Sequence, residues 1–236
     1  MNTVGQVLDA LQKKGNDQTR KTYLRHGMPQ DMYGVKVGDL KVVAKHIKGN
    51  QSLALELWDT GNFDAMYLAG LVADGAQMTK QQLDSWAKGA TCYMLSEYAV
   101  AWVASESPHA RDLAHKWIGS KNPQLQTAGW STYAALVSVR DDAELDLDEI
   151  KQLLGHVAQH IHAAHDRVRY TMNGFVIAVG SYVRPLLAEA KRVAKQIGKV
   201  EVDMGDTACR VPLASEYIAK VESLGRVGKK RKTAKC

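Results

Sequence analysis

The 236-residue sequence is short of the residues that build sheets and cross-links. Its three cysteines, Cys92, Cys209 and Cys236, are an odd number with neither disulfide nor metal-site spacing. A disulfide-stapled secreted domain is therefore excluded, and reduced thiols in a cytoplasmic protein are expected. Five prolines, two phenylalanines and few runs of Val, Ile and Thr argue against a rich sheet content. No stretch approaches the roughly 18 consecutive apolar residues of a spanning helix, so no membrane association is expected. The first fifteen residues lack the apolar run of a secretion signal. No nucleotide-binding loop, zinc-finger spacing or nucleophile elbow is present, and those classes lose most of their weight. What is present is a hydrophobic content of 45% and a charged content of 24%, enough for a sizeable core. Alanine is plentiful and apolar residues recur at three- and four-residue steps, which predicts an all-helical chain.

The net charge of +6 is uneven. Residues 226–236 carry six basic groups and no acid, while residues 1–50 carry nine basic and four acidic groups. Residues 51–110 are acidic, with two basic and seven acidic groups. Basic ends of this kind can track a polyphosphate backbone, or simply keep a protein soluble. The tail 226–236 has the composition of a disordered segment.

Four times an apolar segment ends at Trp or Leu, breaks over polar or Gly residues, and resumes as a second segment rich in small residues. The pairs fall at 52–58 with 65–74, 81–86 with 93–104, 110–118 with 125–137, and 147–161 with 168–183. Helix pairs recurring every 30–40 residues or so mark a helical solenoid, expected over residues 1–195. Ala69-Gly70, Ala128-Gly129 and Asn173-Gly174 fall inside the second helices, where small side chains permit close approach. Helix starts are signalled by Asp64, Thr79, Asp146 and Asn122-Pro123. Residues 196–225 read as a capping segment with a short alternating run (Val200, Val202) and a brief helix near 216–224.

Two groups of side chains could carry chemistry. His156 and His160 share a helix face at i, i+4, near His162 and His165, but no third ligand stands at a compelling spacing, so no metal is expected. Tyr93 and Glu97 also stand at i, i+4. An aromatic beside a carboxylate suits an electron-poor sugar or base; equally, Tyr93 could pack between repeats and Glu97 pair with a nearby polar group.

The segments MYGVKVGDLKVVAKHIK (32–48), LELWDTGNFDAMYLAGLVAD and KWIGSKNPQLQTAGW resemble the AlkD-type DNA alkylation repair family, over roughly residues 4–195. The resemblance implies a right-handed superhelix of HEAT-like repeats holding duplex DNA in a concave basic groove. It also implies hydrolysis of the glycosidic bond of cationic N3- or N7-alkylpurines, with no metal or cofactor. Active members carry an aromatic and, four residues later, an aspartate on the helix that here reads CYMLSEYAV. These fall on Tyr93 and Glu97, an altered pair. Tyr93 would pack against sugar or lesion, and Glu97 would stabilise the oxocarbenium-like transition state or orient water. The family's arginine in the next repeat is Thr127 here, and a further tryptophan maps to Phe175, or to Gly174 if the register slips by one.

The resulting expectation is a monomeric, cytoplasmic, nucleoid-associated protein that binds double-stranded, alkylated DNA and has a possible glycosylase activity. Thr127 and Phe175 would lie beside the lesion, with Lys121, Arg167 and Arg169 at repeat junctions on phosphates. Lys229, Lys230, Arg231 and Lys232 would supply non-specific affinity. Two alternatives stay open: a non-catalytic binder of damaged, bent or branched DNA, and a HEAT-repeat protein-interaction scaffold.

Overall fold

The computed structural model describes residues 1–205 and 207–235; Cys236, read above as a reduced thiol, lies outside them. Thirteen α-helices run in chain order: α1 Val4–Lys14, α2 Asp17–Arg25, α3 Val37–Ile47, α4 Gln51–Asp59, α5 Phe63–Val72, α6 Lys80–Gly89, α7 Ala101–Ser105, α8 Ala110–Ile118, α9 Pro123–Val139, α10 Leu147–His160, α11 Asp166–Tyr182, α12 Leu187–Ile197 and α13 Ala214–Ser223. A π-helical segment, Leu95–Val100, leads directly into α7. No strand occurs among the described residues, and Val200 and Val202 lie in irregular chain. No helix among them is long and apolar enough to cross a membrane.

Local chemistry sets the boundaries. Thr79 and Gln82 close a reciprocal capping box on α6, and Asp146 accepts the Glu149 N–H at the start of α10. Asn122 caps α9 with Pro123 in its first turn, where the missing N–H costs nothing. Asp64, expected at a helix start, is one residue inside the first turn of α5, and Asn62 is the cap.

Chain packing falls into two units, each described by itself. The first comprises Met1–His109 with Met204–Ala208 and Lys235. Here α4 packs on α5, α5 on α3 and on the π-helical segment, and α1 on α3. The Trp58 and Trp86 rings, 28 residues apart, stack 4.2 Å between centroids and 6° from parallel. Asp64 is completely buried and accepts the backbone N–H groups of Tyr33 (2.6 Å), Gly34 (3.0 Å) and Val35 (2.9 Å). Burial pushes its carboxyl up, against the pull of those three donors. The clamp holds the loop leading into α3, where Gly34 has φ +79°.

The second unit comprises Ala110–Asp203 and Cys209–Ala234. α8 pairs with α9; α9 packs on α11 and α10 on α12; α13 lies against α11 and α12. Trp117, Trp130, Tyr133 and Phe175 are its largest fully buried rings.

Two of the three expected small-residue contacts occur. A methyl on Gly70 would sit 2.5 Å from Ala99 Cβ, and one on Gly129 would sit 2.7 Å from Ile118 N. At Gly174 the same methyl meets nothing within 4 Å, so that glycine does not serve helix packing. Gly70→Ala should therefore lower stability by about 1–3 kcal/mol through overpacking against backbone. Gly174→Ala should raise it by about 0.5–1 kcal/mol through helix propensity. Thermal melts of the two variants check the sign of each.

The tail is not disordered, contrary to its composition. Gly228 N donates to Ser181 O at the end of α11, and Arg231 N to Ser138 O near the end of α9. Lys230 Nζ donates to Val137 O at 2.9 Å and lies 2.8 Å from Asp142 Oδ1. Val227 and Ala234 are buried. In the first unit, Lys235 Nζ donates to Ala73 O, just past α5. Carbonyls at helix C-termini lack intrahelical partners and carry the negative end of the macrodipole, so N–H donors and cations are held there. Deleting residues 226–236 should lower the melting temperature by about 5–10 °C, given a few kcal/mol of lost burial and caps. An unchanged melt would show that docking adds no stability.

Candidate nucleic-acid interface

The aromatic–carboxylate pair lies in the first unit. Tyr93 is half-buried in the turn that enters the π-helical segment, and Glu97 lies inside it, 5% exposed. The sequence reading placed the two at α-helical spacing; the actual i→i+5 bonding widens the turn between them. The widened backbone at Ala99 is what meets Gly70 on α5. Below, Tyr98 contacts Trp102, whose ring meets Tyr67 edge-on at 5.5 Å. Burial, with the Glu97 charge adding to it, pushes the Cys92 thiol up to about 11, so this cysteine is no nucleophile at neutral pH. In the same unit α3 turns Lys41 and Lys45 outward at i, i+4, with Lys36 and Lys48 exposed at its ends.

All the other expected site residues lie in the second unit. Phe175 is fully buried, 5.2 Å from Trp130 and 5.7 Å from Tyr133 by ring centroid. It is a core residue with no surface to offer DNA, which corrects its expected role. Thr127 is 2% exposed and its hydroxyl donates to Gln124 O at 2.8 Å, so it too presents nothing to a phosphate. Lys121 is exposed just before α9. Arg169 is drawn into an ion pair with Asp166 at 2.5 Å. Arg167 holds its guanidinium 4.4 Å from the centre of the Tyr170 ring. Of the tail cations, Lys229, Arg231 and Lys232 are exposed, while Lys230 is committed to Asp142 and the α9 carbonyl.

A surface polar cluster around the half-buried Glu149 left no signal in the sequence. Glu149 on α10 accepts from Arg111 and Tyr133 and pairs with His115 Nε2 at 2.6 Å, while Arg111 also reaches Asp146 at 2.7 Å. Burial pushes the Glu149 carboxyl up, but its three donors together outweigh this and hold it below the usual range. Burial and the Glu149 bond push the Tyr133 phenol well up. These side chains lock α8, α9 and α10 together. Of the four neighbouring histidines, His156 stacks on Trp130 and touches His160, and His162 bonds Ile197 O at 2.9 Å. No cluster of three or more metal-ligating side chains forms among the described residues.

Paired helices, with second helices packed on one another within each unit, are the arrangement of a HEAT-like repeat protein. Residues 7–195 match the DNA alkylation repair enzyme family, and the chain belongs to it. It is 34% identical over 229 residues to uncharacterised proteins of Listeria innocua serovar 6a and Listeria monocytogenes serovar 1/2a, covering 94% of this chain and 99% of each relative. A solved structure matches with a TM-score of 0.91 and 40% identity, covering 99% of this chain and all of that one. It represents a new family of proteins related to the HEAT-like repeat DNA glycosylases with affinity for branched DNA structures.

The lysines of the tail should separate by role. Lys230→Ala should cost about 1 kcal/mol of stability, because it leaves the inaccessible Oδ1 of the partly exposed Asp142 without its cation. The double variant Lys229→Ala, Lys232→Ala should leave the melt unchanged and reduce the salt dependence of any DNA binding by up to about two phosphate contacts. A stable Lys230→Ala protein would contradict the assignment.

Proposed function

We propose that this chain is a non-catalytic binder of branched DNA. The observation that carries the reading is the 40% identity and 0.91 TM-score, end to end, with a structure from a family having affinity for branched DNA. The site residues support it. A catalytic carboxylate must reach the sugar or the attacking water, and Glu97 is 5% exposed. The position that carries arginine in active relatives is a buried threonine, already bonded to its own helix. Exposed cations, Lys41 and Lys45 on α3 and Lys121, Lys229 and Lys232 in the second unit, suit phosphate contact without base reading. Glycosylase action on cationic alkylpurines is the second reading, favoured by the retained aromatic–carboxylate pair at Tyr93 and Glu97.

One set of assays separates the two. Mobility shifts should show a four-way junction bound at least about tenfold more tightly than duplex of the same length. Both affinities should fall steeply, by roughly a thousandfold, between about 50 and 200 mM salt if six or so phosphates are contacted. Wild-type protein at micromolar concentration should release no 3-methyladenine or 7-methylguanine from alkylated DNA over hours. Release that disappears in Glu97→Gln would install the glycosylase reading instead, and equal affinity for junction and duplex would remove the preference for branches.

A further inference from the structure

Along α11 the side chains not fully covered are few. Arg167, Tyr170, Gly174 and Ile177 follow one another at steps of three, four and three, and so share one helix face. This face combines three properties that its neighbours lack. The Arg167 guanidinium lies 4.4 Å from the Tyr170 ring centre, giving a flat, cationic, π-rich surface. One turn further, Gly174 leaves space in which an added methyl meets nothing within 4 Å. Next to it Asn173 is 1% exposed, gives its amide N–H to Pro212 O at 2.9 Å, and keeps Oδ1 without a hydrogen-bond partner among the described residues. A buried acceptor left unmade is costly, and native structures leave few of them. Helix propensity argues against glycine at 174, and no packing contact requires it there. The space at Gly174, one turn along from Tyr170, leaves room for a flat ligand on this face.

We propose that the Arg167–Tyr170 pair, with the opening at Gly174, is a stacking platform for one unpaired nucleobase at the branch point of a bound DNA. The inference rests on the branched-DNA reading and deepens it. Every base has a π-face, so an aromatic ring and an arginine plane hold it whatever the sequence. A fully paired duplex keeps its bases stacked on each other and has none to offer. Where helical arms meet, a base leaves the stack at little cost, and the platform converts that into preference for the branch.

The test uses a three-way junction with 2-aminopurine at an unpaired branch position, and a duplex with the same label fully paired. Binding of wild-type protein should quench the junction label and leave the duplex label unchanged. Tyr170→Ala should remove the quenching and weaken junction binding roughly tenfold, with duplex affinity unaltered. Tyr170→Phe, which keeps the ring, should behave as wild type. Gly174→Leu places a side chain in the opening, where an added Cβ meets nothing within 4 Å, so it should abolish quenching; a normal melt of that variant keeps the test decisive even if Tyr170→Ala proves unstable. Should wild type bind the junction tightly while Tyr170→Ala or Gly174→Leu quenches as fully, the platform is wrong and the branched-DNA reading stands. Failure of wild type to prefer the junction at all would overturn both.

Discussion

Each second helix of the repeats is hemmed in by neighbours, and this decides which residues can act. α9 lies against α8 and α11; α11 lies against α9, α12 and α13. A helix packed on several sides keeps one narrow sector for solvent. On α9 that sector holds Gln124, Ser131 and Ala135, and on α11 it holds Arg167, Tyr170, Gly174 and Ile177. Thr127 and Phe175 are turned into the packed sectors, so their chemistry is spent on Gln124 O and on the rings of Trp130 and Tyr133. α5 is the extreme case, buried from Phe63 through Gly70, and works as scaffold.

That packing was legible where it leaves a local trace. The alternation of anchor segments and small-residue segments located the four helix pairs, because amphipathic periodicity follows from burying one face. Caps located the boundaries at Thr79, Asn122 and Asp146, since the orphan N–H groups of a first turn need an oxygen nearby in sequence. Glu97 and Phe175 show the limit. Their spacing is helical, but a π-helical turn at 95–100 has no composition of its own, and an aromatic faces core or ligand depending on a rotation that one sequence does not reveal. Tyr170 carries no motif beyond its place three residues after Arg167. The tail was misread for a related reason: its lysines look solvated by composition, whereas helix C-termini distant in sequence supply their partners.

Charge follows the same logic. Not every cation is available to a polyanion: Lys230 and Lys235 lie against backbone carbonyls and Arg169 is paired with Asp166. Exposed cations are found in both units, among them the α3 lysines in one and Lys121, Lys229, Arg231 and Lys232 in the other. Such cations attract phosphates generally and do not choose between one DNA geometry and another. Preference has to come from groups that read something other than charge.

The Arg167–Tyr170 platform proposed above would be such a group, and what it requires differs from what excision requires. Excision needs a carboxylate at the sugar and a cation holding the backbone beside it, both exposed at once. Here Glu97 lies 5% exposed inside the π-helical turn, and Thr127 is buried and bonded to its own helix. Stacking and phosphate contact demand no such pair. They need only an open sector with a ring and a few cations, which a HEAT-like scaffold can present with or without a cleavage geometry.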